Sequence, residues 1–236
     1  KMLLYLVSGL TILLSMGYLK EEKIQLAEYY AFVLLALTGM MVMVSGADLL
    51  TIYLGIELMS ITLYIMAGIK RFEARSIESS AKYFVLGAFS SGILLYGISI
   101  VFGVTGSTRL VEIGAVVTER GIDDPLVFIA LMLLIVGFGF KVAAVPFHMW
   151  TPDVYQGAPT SVTAFMAVAS KAASFAAFLR VLLEAFGGIK PNWNLIILVI
   201  CLITVALGNI VAIVQTNVKR MLAYSSIAHA GYALIG

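Results

Sequence analysis

Residues 137–160, GFGFKVAAVPFHMWTPDVYQGAPT, are the most informative part of this chain. They place Lys141 in an apolar run that begins near Pro125, and Pro146 follows five residues later. A charged side chain at the centre of a membrane helix costs about 2.5–3.5 kcal/mol on insertion scales, so it is seldom there without a role. Pro146 has no amide hydrogen and cannot bond the carbonyl of Val142, which weakens the helix beside the charge. The stretch therefore predicts a broken membrane helix with an ionisable side chain lining a polar cavity.

The composition is that of an integral membrane protein. Hydrophobic residues make up 61% of the 236 residues, charged residues make up 12%, and the mean hydropathy is +1.04. Apolar runs of about 20 residues suit helices rather than the short alternating strands of a membrane barrel. The single cysteine, Cys201, lies in such a run and is expected to be an inert core residue. The sequence has no phosphate loop, dinucleotide fingerprint or metal-spaced Cys/His cluster, and we expect no metal site and no nucleic-acid partner.

Eight apolar runs are long enough to cross a hydrocarbon core of about 30 Å. They cover residues 2–19, 26–46, 47–69, 79–103, 125–149, 159–186, 193–214 and 219–236. We therefore predict an all-α polytopic transmembrane bundle of about eight helices with a break near Lys141–Pro146. Residues 104–124 are predicted to form a short amphipathic helix at the outer surface. Because the chain lacks an initiator methionine and its last run stops at Gly236, we interpret it as an internal fragment.

Basic residues concentrate on one side of the predicted bundle. The loops after the first, third and seventh helices hold Lys20, Lys23, Lys70, Arg71, Arg75, Lys219 and Arg220. The opposite side holds Arg109, Arg120 and Lys190. The positive-inside rule places the first group of loops in the cytoplasm or its equivalent.

Four ionisable side chains on four helices are predicted to lie near the middle of the bilayer. Counted from the cytoplasmic end of each helix at about 1.5 Å per residue, they lie about 13–18 Å deep. They are Glu57, Lys141, Lys171 and His229. A buried lysine readily changes its protonation state and histidine titrates near neutrality, so we interpret the row as a proton path. Two alternatives stay open, namely static ion pairs that lock helices together and a lysine that extends to the headgroups.

Other charged residues lie near the helix ends. Lys82, one turn inside the cytoplasmic end of its helix, is a candidate for the path or for a side chain that extends to the surface. His148 and Asp153 are placed where the broken helix meets the cytoplasmic surface, and they suit proton access, a relay or capping. Asp48, Arg180 and Glu184 fall near the outer ends of their helices and are predicted to be structural.

Five stretches carry a resemblance to a known family. They are DLLTIYLGIELMS (48–60), SIESSAKYFVLGAFSSGILLYG (76–97), FKVAAVPFHMWTPDVYQGAPT (140–160), SKAASFAAFLR (170–180) and KRMLAYSSIAHAGY (219–232). They resemble the antiporter-like membrane subunits of proton-pumping NADH–quinone oxidoreductase, respiratory complex I. Within that group the chain is similar to subunit N, called subunit 2 in mitochondria, because VPFHMWTPDVYQGAP is typical of it.

The resemblance implies two inverted five-helix repeats, each with a broken helix. Residues 1–25 would be a preceding helix, residues 26–190 the first repeat, and residues 191–236 the truncated start of the second. The resemblance also implies roles for the row. Glu57 would pair with Lys141, Lys171 would link that pair onward, and His229 would continue towards the second half.

The resemblance implies that this chain is a subunit of an NADH:quinone oxidoreductase and does no redox chemistry itself. Flavin, iron–sulfur clusters and the quinone site would belong to partner subunits, so no cofactor is expected here. The implied partners are the other membrane subunits of complex I, the lipid bilayer and protons. A bacterial inner membrane is favoured over a mitochondrial inner or thylakoid membrane.

Two other functions stay open from the sequence. The same superfamily supplies subunits of multi-subunit cation/proton antiporters and of membrane-bound hydrogenases. A purely structural membrane scaffold is the third possibility.

Overall fold

The computed structural model describes residues 1–22, 24 and 27–236. Over these residues the chain is a helical bundle, and seven of its helices are long and apolar enough to cross a membrane. The prediction of an all-α transmembrane bundle is confirmed. Lys23 of the first basic loop and residue 26, the predicted start of the second helix, lie outside the described residues.

Eleven α-helices follow one another along the described part of the chain. They are α1 Met2–Glu21, α2 Glu28–Ser45, α3 Leu49–Ala67, α4 Ala74–Thr105, α5 Leu110–Arg120, α6 Pro125–Val142, α7 Trp150–Gly157, α8 Thr160–Phe165, α9 Lys171–Arg180, α10 Lys190–Ile213 and α11 Val218–Ala233. Two π-helical turns, Met166–Ser170 and Val181–Ala185, join α8 and α9 into one span, Thr160–Ala185. A 3-10 turn at Gly187–Ile189 precedes α10, which begins at Lys190.

Polar side chains begin several of these helices. Asp48, Asp124 and Asn217 cap α3, α6 and α11, because each accepts a hydrogen bond from a backbone amide two or three residues later. Pro125 is the first residue of α6, a position where a missing amide hydrogen removes no helical bond. The caps explain why these helices start where the apolar runs start.

The helices α2 and α3 pack with their backbones in close contact. A Cβ atom on Gly39 would lie 2.5 Å from the amide nitrogen of Met59, and one on Gly55 would lie 2.5 Å from that of Met43. Only glycine allows this approach, which is typical of small residues in membrane helix packing. The crossing fixes α3, which carries Glu57, against the first part of the bundle.

The surface helix predicted within residues 104–124 is α5. Its buried residues Leu110, Ile113 and Val117 recur at helical spacing, so one face packs inward while the other stays exposed. Gly114 lies against the backbone of Glu184, which anchors α5 over the end of the Thr160–Ala185 span. The predicted amphipathic helix is confirmed.

Arg180 lies beside the start of α3 at the outer end of the bundle. Its guanidinium pairs with Glu184 at 2.8 Å and donates hydrogen bonds to the carbonyls of Val44 and Gly46. These backbone groups belong to the connection that leads into α3. Arg180 and Glu184, which were predicted to be structural, form an ion pair at i,i+4 that helps to hold this connection.

The helix predicted over residues 125–149 is shorter than expected. It ends at Val142, Ala143 takes a left-handed conformation with φ +62°, and α7 begins only at Trp150. Pro146 lacks an amide hydrogen and disfavours helical geometry at the residue before it, so the helix cannot continue through this region. The predicted break is confirmed, but a depth for Lys141 counted along a continuous helix from Trp150 is wrong.

Candidate functional site

Lys141 is buried at the end of α6, one residue before the helix ends. The residue is 5% exposed, and its ammonium donates a 2.8 Å hydrogen bond to the Ser60 hydroxyl on α3. The Ser60 hydroxyl donates in turn to the carbonyl of Ile56 at 2.6 Å, which leaves its lone pairs free to accept from the lysine. The ammonium also lies 5.8 Å from the centre of the Phe140 ring. The buried charge is therefore held by a neutral hydroxyl and an aromatic face.

Glu57 lies on the same face of α3 as Ser60, three residues earlier. Its carboxylate is half-buried and accepts a hydrogen bond from the Ser91 hydroxyl on α4. Among the residues described, no carboxylate oxygen lies within 4.0 Å of the Lys141 ammonium. The Glu57–Lys141 pair that the resemblance implies is not a direct contact here, because Ser60 is the partner of the ammonium.

The backbone groups released by the break find partners on other elements. The amide of Val145 donates to the Thr204 hydroxyl on α10 at 3.0 Å. The carbonyl of Phe140 accepts a 3.0 Å hydrogen bond from the Trp150 indole. A helix can be interrupted inside a membrane protein only where such partners exist. Hydrogen bonds from Trp150 and to Thr204 therefore stabilise the break and connect it to α7 and α10.

Lys171 is the second buried lysine. It is the first residue of α9, directly after the π turn Met166–Ser170, and is 7% exposed. Its ammonium donates hydrogen bonds of 2.8 Å to both the hydroxyl and the backbone carbonyl of Ser226 on α11. Single π turns inside membrane helices often occur at functional sites. Like Lys141, Lys171 is held by neutral oxygen atoms of another helix.

His229 is placed differently from the other members of the row. It lies three residues beyond Ser226 on α11, but its side chain is exposed. Its Nδ1 atom lies 2.8 Å from the carbonyl of Ser225, and its ring packs edge-on against Tyr232. The structure thus joins Lys171 to α11 and leaves His229 on the outer face of that helix.

Lys82 and Asp153 meet near the cytoplasmic end of the bundle. Asp153, on α7, pairs with Lys82 of α4 at 2.8 Å and with Arg220 of α11 at 2.6 Å. Glu78 adds a second partner for Lys82 at 2.7 Å. The hydrogen bond from Lys82 and that from Arg220 hold the pKa of Asp153 below its usual value, against the opposing effect of burial. The cluster fastens α7 to both α4 and α11.

His148 does not join this cluster. It lies in the non-helical residues 143–149 and is half-buried. Its Nδ1 atom has no hydrogen-bond partner among the described residues. Across residues 1–22, 24 and 27–236, no three His, Cys, Asp or Glu side chains come together in a way that could hold a metal ion.

A family profile described as NADH:quinone oxidoreductase/Mrp antiporter, TM, matches residues 46–236. This chain belongs to that family. The matched region contains both buried lysines and the broken helix. The resemblance drawn from the five sequence stretches is confirmed.

Relatives within the NADH:quinone oxidoreductase/Mrp antiporter family agree with this assignment. NADH-quinone oxidoreductase subunit N of Trichlorobacter lovleyi is 49% identical over 237 residues, covering 100% of this chain and 49% of the relative. A chain of respiratory complex I from Thermus thermophilus, solved with bound aureothin, is 44% identical with a TM-score of 0.75, covering 87% of this chain and 44% of that chain. This family member thus spans about half the length of the curated relatives it matches.

The antiporter branch of the family shares the fold. A chain of the Mrp complex from Dietzia sp. DQ12-45-1b has a TM-score of 0.84 at 23% identity, covering 99% of this chain and 43% of that chain. At that identity the likeness concerns the fold alone.

Several site residues of this family member were missed by sequence reasoning. Ser60, Ser226 and Thr204 contact the lysines or the broken helix, and they are uncharged. Ser60 and Ser226 lie three residues from Glu57 and His229, so helical spacing could have marked them. Thr204 carried no signal, because its role depends on how α10 packs against the break.

Proposed function

We propose that this family member translocates protons as part of a subunit N of NADH–quinone oxidoreductase. The observation that carries the proposal is the pair of buried lysines, Lys141 and Lys171, each held by a neutral oxygen of another helix. Removing one partner of a buried ion pair leaves an uncompensated charge, at a loss of about 3–5 kcal/mol. A lysine bonded to a neutral hydroxyl can lose its proton without leaving such a charge. Both lysines are therefore suited to carry a proton and to release it.

In the proposed path, a proton moves between the two lysines and then towards His229. Each transfer converts one ammonium to a neutral amine and one neutral group to its protonated form. Glu57, on the helical turn beside Ser60, favours the protonated form of Lys141 through its negative charge. A shift of Glu57 towards or away from the lysine would then control proton release. His229 faces out of the described bundle, which suits transfer to further groups of the complete protein.

The energy for this movement is proposed to come from partner subunits. In this proposal, flavin, iron–sulfur clusters and quinone bind elsewhere in the complex, and coupling is conformational and electrostatic. The other membrane subunits of complex I are the proposed partners, within a bacterial inner membrane. Support comes from bacterial relatives named NADH-quinone oxidoreductase subunit N.

Replacing Lys141 in the complete complex tests the proposal. In Lys141→Ala we expect proton pumping into sealed vesicles to fall at least about tenfold, together with quinone-coupled NADH oxidation, while assembly stays normal. Lys141→Arg is the matched control for charge, because arginine keeps its proton at all working pH values. If Lys141 must release its proton during pumping, Lys141→Arg should pump as slowly as Lys141→Ala. Normal pumping by a fully assembled Lys141→Ala complex would contradict the proposal.

A cation/proton antiporter is the second candidate, because the matching family profile describes Mrp antiporters as well as NADH:quinone oxidoreductase. It predicts sodium-dependent proton flux without NADH or quinone. The 49% identity to a subunit N relative favours the first candidate. Sodium-driven flux in vesicles that contain no redox partner would decide for the antiporter.

A structural scaffold makes a different prediction again. If Glu57 and Lys141 served only to hold helices together, replacing both with leucine would leave pumping unchanged. We expect the double variant to lose pumping.

Lys82, His148 and Asp153 are also part of the proposal, as access or relay residues at the cytoplasmic end of the path.

A further inference from the structure

Ser174 on α9 carries a buried hydroxyl that the proposed path does not use. The residue is 1% exposed, and its hydroxyl has no hydrogen-bond partner among the described residues. Buried polar groups nearly always have a partner, either in the protein or in ordered water, so such a hydroxyl inside a membrane bundle needs an explanation. The position of Ser174 on α9 supplies one.

Ser174 lies on the face of α9 that packs against α6. Lys171, Ser174 and Phe178 are spaced three and four residues apart, so they share one face of the helix. Phe178 stacks on Phe138 of α6, with ring centres 5.2 Å apart and planes 12° apart. Arg180 marks a different face, because its guanidinium bonds to carbonyls at the junction between α2 and α3. The Ser174 side chain is therefore directed towards α6.

Ser174 also lies at nearly the same depth as Lys141. The helices α6 and α9 run in opposite directions, because the start of α6 and the end of the span that contains α9 both lie beside α5. Lys141 lies three residues beyond Phe138, about 4.5 Å along α6, and on the same face. Ser174 lies four residues before Phe178, about 6 Å along α9 in the same direction. The two residues therefore differ in depth by only about 1.5 Å.

Both lysines keep ammonium hydrogens that no atom of the described chain accepts. An ammonium has three donors, of which Lys141 uses one for Ser60 and Lys171 uses two for Ser226. Ser174 lies between the lysines, since it is level with Lys141 and about one turn of helix from Lys171. A buried water molecule requires roughly two to four polar partners, and the remaining ammonium donors and the Ser174 hydroxyl supply them.

We infer that Ser174 is a positioning residue, whose hydroxyl holds a water molecule for proton transfer between Lys141 and Lys171. This inference rests on the proposed function and assigns one of its steps to a specific side chain. The ammonium of one lysine gives a proton to the water oxygen while the water gives one of its own protons to the neutral amine of the other lysine. One lysine loses a proton, the other gains one, and the water and the serine hydroxyl are unchanged. Ser174 acts only by fixing the water, because neither lysine bonds to its hydroxyl directly.

The test uses Ser174→Ala in the complete complex, because alanine removes only the hydroxyl. A hydroxyl without a partner in the protein contributes no hydrogen bond to the fold, so a merely structural role predicts normal assembly and normal pumping. We expect normal assembly, but a fall of about tenfold in proton pumping per complex, because one transfer barrier rises. The ratio of quinone-coupled turnover in H₂O to that in D₂O should rise, because proton transfer becomes limiting.

Ser8→Ala is the matched control. Ser8 is also 1% exposed, and its hydroxyl also lacks a hydrogen-bond partner within the described part of the chain. It lies on α1, which supplies no hydrogen-bond partner to either lysine. Ser8→Ala should pump at the parent rate with an unchanged isotope ratio. If Ser8→Ala pumped as slowly as Ser174→Ala, the role of Ser174 would be overturned.

Ser174→Cys is the second variant and serves if Ser174→Ala does not assemble. Its thiol is close in size to the hydroxyl but a weaker hydrogen-bonding group, so its pumping rate should fall between those of the parent and Ser174→Ala. Pumping at the parent rate in both variants, or slow pumping with an unchanged isotope ratio, would overturn the role of Ser174.

Lys171→Ala separates the two possible failures. Normal pumping in Lys171→Ala would overturn the proposed function together with this inference. Slow pumping in Lys171→Ala beside normal pumping in Ser174→Ala would overturn this inference alone.

Discussion

The ammonium of Lys171 donates two 2.8 Å hydrogen bonds to Ser226, one to the hydroxyl and one to the backbone carbonyl. The two residues lie on α9 and α11, so a single side chain links the Thr160–Ala185 span to the last helix. Hydrogen bonds to charged groups contribute about 1.5–3 kcal/mol each, more than those between neutral groups. The two hydrogen bonds therefore fix the position of the Lys171 side chain and also stabilise its charge.

Ser226→Ala should lower proton pumping several-fold, because it removes one of two acceptors from a buried ammonium, a loss of about 1–3 kcal/mol. The rate of vesicle acidification by the whole complex measures the effect. Ser225→Ala is the matched control, since Lys171 is bonded to Ser226 and not to its neighbour. Equal rates for both variants would show that the Ser226 hydroxyl has no part in proton movement.

Thr204→Val should destabilise the broken helix by about 1–3 kcal/mol, because it leaves the Val145 amide without an acceptor. The fraction of complex that retains this subunit after heating measures the loss. Thr62→Val provides the comparison, because the Thr62 hydroxyl bonds only to the carbonyl of Leu58 on its own helix. If the two variants lose the subunit at the same temperature, the Val145–Thr204 hydrogen bond does not stabilise the broken helix.

Gly39→Ala should weaken the α2–α3 crossing by about 1–3 kcal/mol, because overpacking forces backbones apart. The added Cβ would lie 2.5 Å from the amide nitrogen of Met59. The yield of assembled complex measures the effect. Gly92→Ala is the control, since nothing lies within 4 Å of a Cβ at that position. A Gly39→Ala yield equal to that of Gly92→Ala would contradict the tight crossing.

Asp153→Asn should reduce stability at neutral pH, but by less than about 1 kcal/mol, because the ion pairs are partly exposed. The pKa of Asp153 is held below its usual value, first by Lys82 and then by Arg220. A depressed carboxyl pKa contributes stability above the ordinary value of about 3.9, and that contribution is lost as the pH falls through the folded pKa.

Thermal unfolding of the parent and of Asp153→Asn checks this pH dependence. The measurements run from about pH 7 down to about pH 3, which is just below the ordinary carboxyl pKa. The difference in stability should be full at neutral pH and should shrink only in the acid part of the range. Glu112→Gln, in the exposed pair with Arg109, should show a smaller difference. If the stability difference between the parent and Asp153→Asn grew on acidification, the ion pairs of Asp153 with Lys82 and Arg220 would not be its source.

Local features of the sequence predicted a large part of the architecture. Hydropathy marked the membrane helices, and the amphipathic spacing of Leu110, Ile113 and Val117 marked α5. Pro146 marked the break, since a missing amide acts within one turn of helix. The exact end of α6 at Val142 was not predicted, because the conformation of residues 143–149 depends on bonds to Trp150 and to Thr204 of α10.

The candidate site was predicted less completely. Lys141 and Lys171 were chosen for their charge in apolar runs, and both are buried. Their partners Ser60 and Ser226 are uncharged and lie 81 and 55 residues away in sequence. The resemblance implied a Glu57–Lys141 pair, but the Ser60 hydroxyl is the hydrogen-bond partner of the Lys141 ammonium. Which side chains meet depends on how each helix is rotated about its axis, which hydropathy does not specify.

The amino-acid sequence by itself determined that this is an integral membrane protein, approximately where its helices lie, and that Lys141 and Lys171 fall within apolar runs. These properties are local, because they follow from the free energy of placing each residue in lipid or in a helix. The tertiary structure alone decided that both lysines bind neutral oxygens, that Asp153 joins α4 to α11, and that His229 faces outward. Those facts arise from packing between distant helices, where the rotation of a helix decides whether a side chain meets a partner or the exterior.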